Sequence, residues 1–149
     1  MAGRTQIDRN TMRGGAGVSA LALLIAFALD VSIVAPIVGV ALVIGAVFGL
    51  RASPLGVIFR ALTSALRLKI AIEREDESPP RFAQAVGAVF LAASTAAFIA
   101  DATTLGWTLA LIVAALQTLL AVTGICVGCE MYLLGKRLTS RVGERSAAA

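Results

Sequence analysis

From Gly14 to Leu50 the chain carries one charged side chain, Asp30. A run this long exceeds the roughly 20 residues that cross a bilayer once, and a carboxylate at mid-bilayer is costly. The run therefore divides at Asp30-Val31-Ser32 into two spans, about 14–29 and 33–50, joined by a short turn. Ser32 is the expected cap of the second helix. Pro36 then falls in its first turn, where a missing N–H does little harm. A cleavable signal peptide is the competing reading: Arg4, Arg9 and Arg13, an apolar run, then Ala26-Phe27-Ala28. Against it, a second apolar segment follows at once, as in a hairpin.

The rest of the chain keeps the pattern. Of 149 residues 58% are hydrophobic and 15% charged, whereas soluble domains carry about a quarter charged. A third span covers about 82–100 and is rich in Ala, Gly, Ser and Thr, which let helices approach closely. A turn over Asp101–Gly106 leads to a fourth apolar segment, about 107–134, longer than a bilayer needs. Trp107 and Tyr132 stand near its ends, as aromatic anchors do. The polar connection Arg51–Arg81 begins with an amphipathic stretch, about 55–72. Leu55, Ile58, Phe59, Leu62 and Leu66 share one face; Arg60, Thr63, Ser64 and Arg67 share the other. This reads as a basic helix lying on the membrane surface, with Lys69 on its apolar side. Ser78-Pro79-Pro80 opens the next helix.

The expected fold class is therefore all-α: an integral membrane four-helix bundle of two helical hairpins joined by a cytoplasmic amphipathic helix. An N-terminal arm takes 1–13, a single four-span domain 14–138, and a flexible tail 139–149. Nearly all Lys and Arg lie in the arm, the connection and the tail, while the short turns hold Asp30 and Asp101. Both termini then face the cytoplasm. The basic residues flank spans and aromatics are few, so nucleic acid is not an expected partner. The lipid bilayer is one, and Arg60, Arg67, Arg137 and Arg141 are candidates for a surface that meets anionic lipid or a partner protein.

Chemistry centres on the two cysteines, Cys126 and Cys129, in Thr123-Gly124-Ile125-Cys126-Val127-Gly128-Cys129-Glu130. On a continuous helix they are neighbours on one face, close to the cytoplasmic end of the fourth span. The pair is a candidate redox dithiol, with Glu130 as a modulator. Placement towards a helix C-terminus, apolar burial and Glu130 all disfavour thiolate there. Three readings stand: small packing residues, a reversible dithiol or sulfur relay, and half a metal site. The last needs two chains to complete four thiolates, because the chain has no histidine. Gly124 with Gly128, and Gly45 with Gly49, form GxxxG pairs, read as close helix contacts within the chain ahead of a homo-oligomer. Gln117, Gly124, Gly128 and Gly135 are read as one packed face, with Gln117 bonding a neighbouring helix. Asp30 and Asp101 are read as turn residues, with a proton path as the alternative. Without histidine there is no Ser/His/Asp arrangement, and no phosphate-binding glycine loop occurs. No cofactor is expected.

The strings Pro79-Pro80-Arg81-Phe82-Ala83-Gln84 and Cys126-Val127-Gly128-Cys129-Glu130-Met131-Tyr132, with the Asp30 turn and Arg51-Ala52-Ser53-Pro54, closely resemble the bacterial membrane family catalogued as domain of unknown function 4395. The resemblance runs from about Asp8 to Leu138. It implies four membrane helices in the bacterial cytoplasmic (inner) membrane and no assigned activity. It also implies a thioredoxin-like or sulfurtransferase-like cytoplasmic partner. The expected role is a thiol redox or sulfur-relay component, whether or not it is an enzyme in its own right. The alternatives are a non-catalytic membrane subunit or anchor docking a cytoplasmic partner, and a small transporter subunit, which the scarcity of polar groups within spans weighs against.

Overall fold

The computed structural model describes residues 6–67, 74–76 and 78–147. Among them are six α-helices: α1 (Arg9–Ala28), α2 (Val34–Phe48), α3 (Pro54–Ala65), α4 (Ser78–Ile99), α5 (Thr103–Thr123) and α6 (Val127–Ala147). A 3-10 turn at Leu50–Ala52 precedes α3. Two short strands, β1 (Gln6–Asp8) and β2 (Arg74–Asp76), pair antiparallel and are an addition to the all-α expectation. The first helix starts at Arg9, inside the expected arm, because Asp8 caps it. The Asn10 N–H and the Thr11 hydroxyl donate to its two carboxylate oxygens at 3.1 and 2.9 Å.

Both hairpin turns are closed the same way. The sequence Ala-Phe-x-x-Asp ends α1 at Asp30 and α4 at Asp101. The aspartates have φ of 54° and 57°, a left-handed conformation that a short polar side chain tolerates better than most. In the first turn the Asp30 N–H donates to the Phe27 carbonyl and the Val31 N–H to that of Ala26. In the second, Asp101 donates to Phe98 and Ala102 to Ala97, which is the Schellman pattern of helix termination. Both aspartates are thus turn residues, as expected. Ser32 is not the cap of α2: Ile33 holds that place, and no side chain caps it.

This recurrence extends through the chain. Each half consists of a short strand, a long helix, an Asp turn, an apolar helix, a glycine of positive φ, and a further helix. The glycines are Gly49 (φ 92°) and Gly124 (φ 75°). Ile7 pairs with Glu75 at the centre of the ribbon. Arg13 on α1 bonds the last carbonyls of α5, and Arg81 on α4 bonds the last carbonyls of α2. Gly15 of α1 lies against Gly56 of α3, and Gly128 of α6 lies against Ala83 of α4. The members of the pairs Ile7/Glu75, Arg13/Arg81 and Gly15/Ala83 are equally far apart in the chain. The two halves therefore repeat one order of elements and one set of contacts, a pseudo-symmetry within the chain. Accordingly α1 packs on α5 as α4 packs on α2, and α1 packs on α3 as α4 packs on α6.

The core is built from small and aliphatic side chains, including Leu23, Ala35, Leu42, Leu91, Ala110 and Ala114. At the Asp-turn end Phe27 and Phe98, equivalent in the two halves, both meet the Trp107 ring edge-on at 5.4 and 5.1 Å. The Trp107 Nε1–H donates to Asp30 Oδ1 at 3.0 Å. Asp30→Ala is expected to cost about 1–3 kcal/mol, since the buried indole N–H loses its acceptor. Asp30→Asn, which keeps an acceptor and tolerates the turn, stays near wild type; thermal unfolding in detergent separates the two.

Outside this core the helices present Leu21, Ile25, Val40, Val89, Ile112 and Leu119 to the surroundings. Soluble monomers seldom show apolar surface on this scale. Arg9–Ala28, Ser78–Ile99 and Thr103–Thr123 are long and apolar enough to cross a membrane, and Val34–Phe48 is apolar but shorter. Two expectations are corrected. The fourth segment is not one helix over 107–134, because α5 stops at Thr123. The stretch 139–147 is not a loose tail, because α6 continues to Ala147. The expected helix over 55–72 is realised as α3 to Ala65, with Arg67 at φ 53° beyond it. Its remainder, with Lys69, lies outside the described residues.

Candidate functional site

The break after α5 decides how the cysteine pair is placed. Gly124 adopts the left-handed conformation and its N–H donates to the Leu120 carbonyl at 2.9 Å. A glycine does this without the Cβ penalty. The Thr123 hydroxyl donates to Leu119 O and accepts from the Ile125 N–H, turning the chain. Cys126 then stands immediately before α6. Its carbonyl accepts from the Glu130 N–H at 3.0 Å, and its Sγ accepts from the Cys129 N–H at 3.4 Å. Cys126 is thus the N-cap of α6, and Cys129 lies in the first turn. The expectation that the pair sits towards a helix C-terminus is overturned, and with it the objection that the dipole opposes thiolate. At an N-terminus the exposed N–H groups favour negative charge. Both thiols are half-buried. Glu130 is exposed in the same first turn.

Two arginines stand beside the break. Arg13 Nη2 donates to the carbonyls of Ala121 and Val122, each at 3.0 Å, with Nε at 3.3 Å from the former. A Cβ on Gly124 would lie 3.1 Å from Arg9 Nη2 and 3.5 Å from Arg13 Nε, so both guanidinium groups border the turn that leads to Cys126. Arg13→Ala leaves the last carbonyls of α5 without their charged donor. It is expected to lower stability by about 1–3 kcal/mol. Arg13→Lys rescues only in part, since lysine lacks the planar fork. Arg81→Ala repeats the loss at α2, where Arg81 donates to Ala46 O at 2.9 Å and Val47 O at 2.6 Å. Thermal unfolding in detergent checks all three.

Cys126, but not Cys129, borders a cavity of about 110 Å³ lined from both halves. Its wall takes Thr11 and Met12 from α1, Ser53 from the start of α3, Gln84 and Val86 from α4, Gln117 from α5, and Cys126 from the start of α6. Ser53 and Cys126 are equivalent N-caps of the two halves.

The glycine pairs behave differently from the expectation. Gly124 and Gly128 are not on one helix, so the proposed common face with Gln117 and Gly135 does not exist. Gly128 still makes a close helix contact within the chain, where an added Cβ would lie 2.6 Å from Ala83 Cβ. Gly45 packs against Gln84, Gly49 ends α2, and Gly135 meets nothing within 4 Å. Gln117 faces the cavity. Of the candidate basic surface, Arg60 is exposed and donates to Arg51 O at 3.0 Å. Arg67 follows α3, and Arg137 and Arg141 are exposed on α6. Sequence reasoning missed the capping arginines, Ser53 and the pseudo-symmetry. The repeated Ala-Phe-x-x-Asp was the available signal for the last.

Helices of membrane-crossing length around a small-residue core, with a dithiol at a helix start, define the class as an apolar, membrane-type helical protein. The chain belongs to the family described as Domain of unknown function (DUF4395), whose model matches residues 7–137. No curated protein and no solved structure matches it.

Proposed function

We propose that the chain is a four-span protein of the bacterial cytoplasmic membrane, with both termini in the cytoplasm. Its Cys126–Cys129 dithiol exchanges electrons or sulfur with a cytoplasmic thioredoxin-like or sulfurtransferase-like protein. The observation that carries this reading is the capping geometry: Cys126 Sγ at the start of α6, accepting the Cys129 N–H. Cys126 as thiolate attacks the partner's disulfide and forms a mixed disulfide, expelling one partner thiolate. The Cys129 thiolate then attacks the Cys126 sulfur, expelling the second partner thiolate and leaving a Cys126–Cys129 disulfide. Thiol–disulfide exchange is reversible, so the same steps run backwards oxidise a partner dithiol. The charge distribution supports the orientation, since Arg9, Arg13, Arg51 and Arg81 all lie where the helical hairpins begin or end, away from the Asp30 and Asp101 turns.

The test is differential thiol labelling in native membranes, before and after mild oxidant. Interconversion of the pair between labelled and protected forms is expected. Two thiols that stay reduced and unreactive throughout overturn the reading.

One observation favours a second reading, a docking subunit without thiol chemistry. Beyond its first turns α6 presents exposed Met131, Leu134, Leu138 and Val142 along one side, with Lys136, Arg137 and Arg141 on the same helix. That is the pattern of a basic amphipathic helix on a membrane surface. On this reading the double change Cys126→Ser with Cys129→Ser is harmless, and neutralising Arg60, Arg67, Arg137 and Arg141 is not.

A further inference from the structure

α3 and α6 hold corresponding places in the two halves, and each meets a long helix near the start of that helix. Gly56 of α3 lies against Thr11 and Gly15 of α1, and the Phe59 ring lies against Gly14. Gly128 of α6 lies against Ala83 of α4, and the Tyr132 ring lies against Phe82. Between these contacts α3 and α6 each advance about 5 Å, yet they stay beside one turn of α1 or α4. Each therefore crosses its neighbour instead of running along it. With α1 and α4 as spans, α3 and α6 lie along the membrane surface where those spans begin.

The order of contacts sets which side of each crossing helix faces the bilayer. Along α3 the contact passes from Gly15 to Gly14, and along α6 from Ala83 to Phe82, in both cases against the winding of the span. For right-handed helices, the side lying a quarter-turn behind the contact then points along the span, away from its first residue. On α3 that side holds Ile58, Leu62 and Leu66; on α6 it holds Met131, Leu134, Leu138 and Val142. All are exposed. The reverse side holds exposed Arg60 and Ser64 on α3, and exposed Lys136 and Ser140 on α6. Arg137 and Arg141 lie on the edge of α6 turned away from α4. Past the crossing, an added Cβ at Gly135 meets nothing within 4 Å among the described residues.

We propose that α3 and α6 are a pair of in-plane helices sunk into the cytoplasmic leaflet, and that Arg137 and Arg141 bind the phosphates of anionic phospholipid there. The inference rests on the four-span reading and its orientation, not on thiol chemistry, and it names the surface that the basic residues meet. The side chains follow the depth order of a leaflet. The apolar side turns towards hydrocarbon, the two arginines stand at head-group level, and Lys136 and Ser140 turn towards water. Both halves repeat the apolar and polar sides of this order with different side chains. One leaflet meets both helices at the same depth, whereas a docking protein would have to cover two separate apolar strips that point into the membrane.

The experiment uses the full chain with Cys126→Ser and Cys129→Ser, which keeps a good N-cap on α6. It is held in nanodiscs of equal phosphatidylcholine and phosphatidylglycerol. A spin label is placed at Leu62→Cys, Ser64→Cys, Leu138→Cys or Ser140→Cys, with Val89→Cys on α4 as the control within a span. Labels at 62 and 138 are expected to collide with dissolved oxygen more than with an aqueous nickel chelate, and labels at 64 and 140 the reverse. In a second arm the unlabelled chain is extracted in mild detergent and its retained lipid is weighed by mass spectrometry. Arg137→Gln with Arg141→Gln is expected to lower the preference for phosphatidylglycerol about tenfold. Labels at 62 and 138 as open to the chelate as those at 64 and 140, with 89 in hydrocarbon, overturn the in-plane placement and assign the strips to a protein partner. A chelate-accessible label at 89 as well overturns the spanning reading and the inference together. An unchanged lipid preference in the double glutamine variant overturns the head-group contact.

Discussion

Cys129→Ser accumulates a mixed disulfide through Cys126, and Cys126→Ser does not. This asymmetry is expected because the two sulfurs occupy different places at the start of one helix. Cys126 Sγ accepts a backbone N–H at the N-cap, where the dipole is strongest, whereas Cys129 lies in the first turn behind it. Thiolate stabilised at such a terminus is the species that attacks a disulfide. Removing Cys129 leaves the attack intact and deletes the resolving step, so the intermediate persists. Removing Cys126 leaves a thiol without the capping position, and trapping falls by at least about tenfold. Non-reducing electrophoresis of each single-cysteine variant, with identification of the trapped protein, reads the result. Equal trapping by both variants removes the distinction between attacker and resolver. Glu130→Gln provides a further comparison: a carboxylate in the same first turn competes for the same dipole, so its neutralisation is expected to raise the trapping rate modestly.

The parts of this fold that the sequence makes legible are those where one local effect dominates. Long uncharged runs dictate helices that need an apolar surround, and Asp30 and Asp101 dictate where those runs turn. The end of α5 is less visible. Thr123-Gly124-Ile125-Cys126-Val127 is as apolar as the helix before it, and a lone glycine within a membrane-type helix is commonly tolerated. Length was the usable cue. Thr103–Thr123 holds 21 residues, which at about 1.5 Å each already spans about 30 Å. The glycine stands where such a helix should stop. Treating it as half of a GxxxG pair hid its role as a terminator and put the cysteines at the wrong end of a helix.

Arg13 and Arg81 were hidden for another reason. Each reads as an ordinary positive residue flanking a span, and only tertiary packing brings it to the carbonyls of a helix remote in the chain. The pseudo-symmetry joins the two failures. The first half closes its second apolar helix with Gly49 and restarts at Ser53-Pro54. The second half closes with Gly124 and restarts at Cys126-Val127. Side chains have diverged so far that only Ala-Phe-x-x-Asp survives as a visible repeat, yet the backbone devices are retained. A serine stands at the N-cap in one half and a cysteine in the other, so corresponding helix starts carry different side chains.

The close crossing of α6 over α4 yields the second large effect. An added Cβ at Gly128 would lie 2.6 Å from Ala83 Cβ and 2.9 Å from Ala83 Cα. The Cα is backbone and has no rotamer to yield, so Gly128→Val must push the helices apart. Overpacking of this kind costs about 1–3 kcal/mol, and here the displaced segment is the first turn that carries Cys129. The Phe82–Tyr132 contact, with ring centroids 5.6 Å apart, opens with it. Gly128→Val is therefore expected to lower the unfolding temperature in detergent and to raise the alkylation rate of both cysteines together. Gly135→Val is the matched control on the same helix. Nothing lies within 4 Å of its added Cβ, so its effect stays within about 0.5 kcal/mol. If both substitutions behave alike, α6 does not rest on α4, and the N-capped cysteine pair loses the support that fixes it against the bundle.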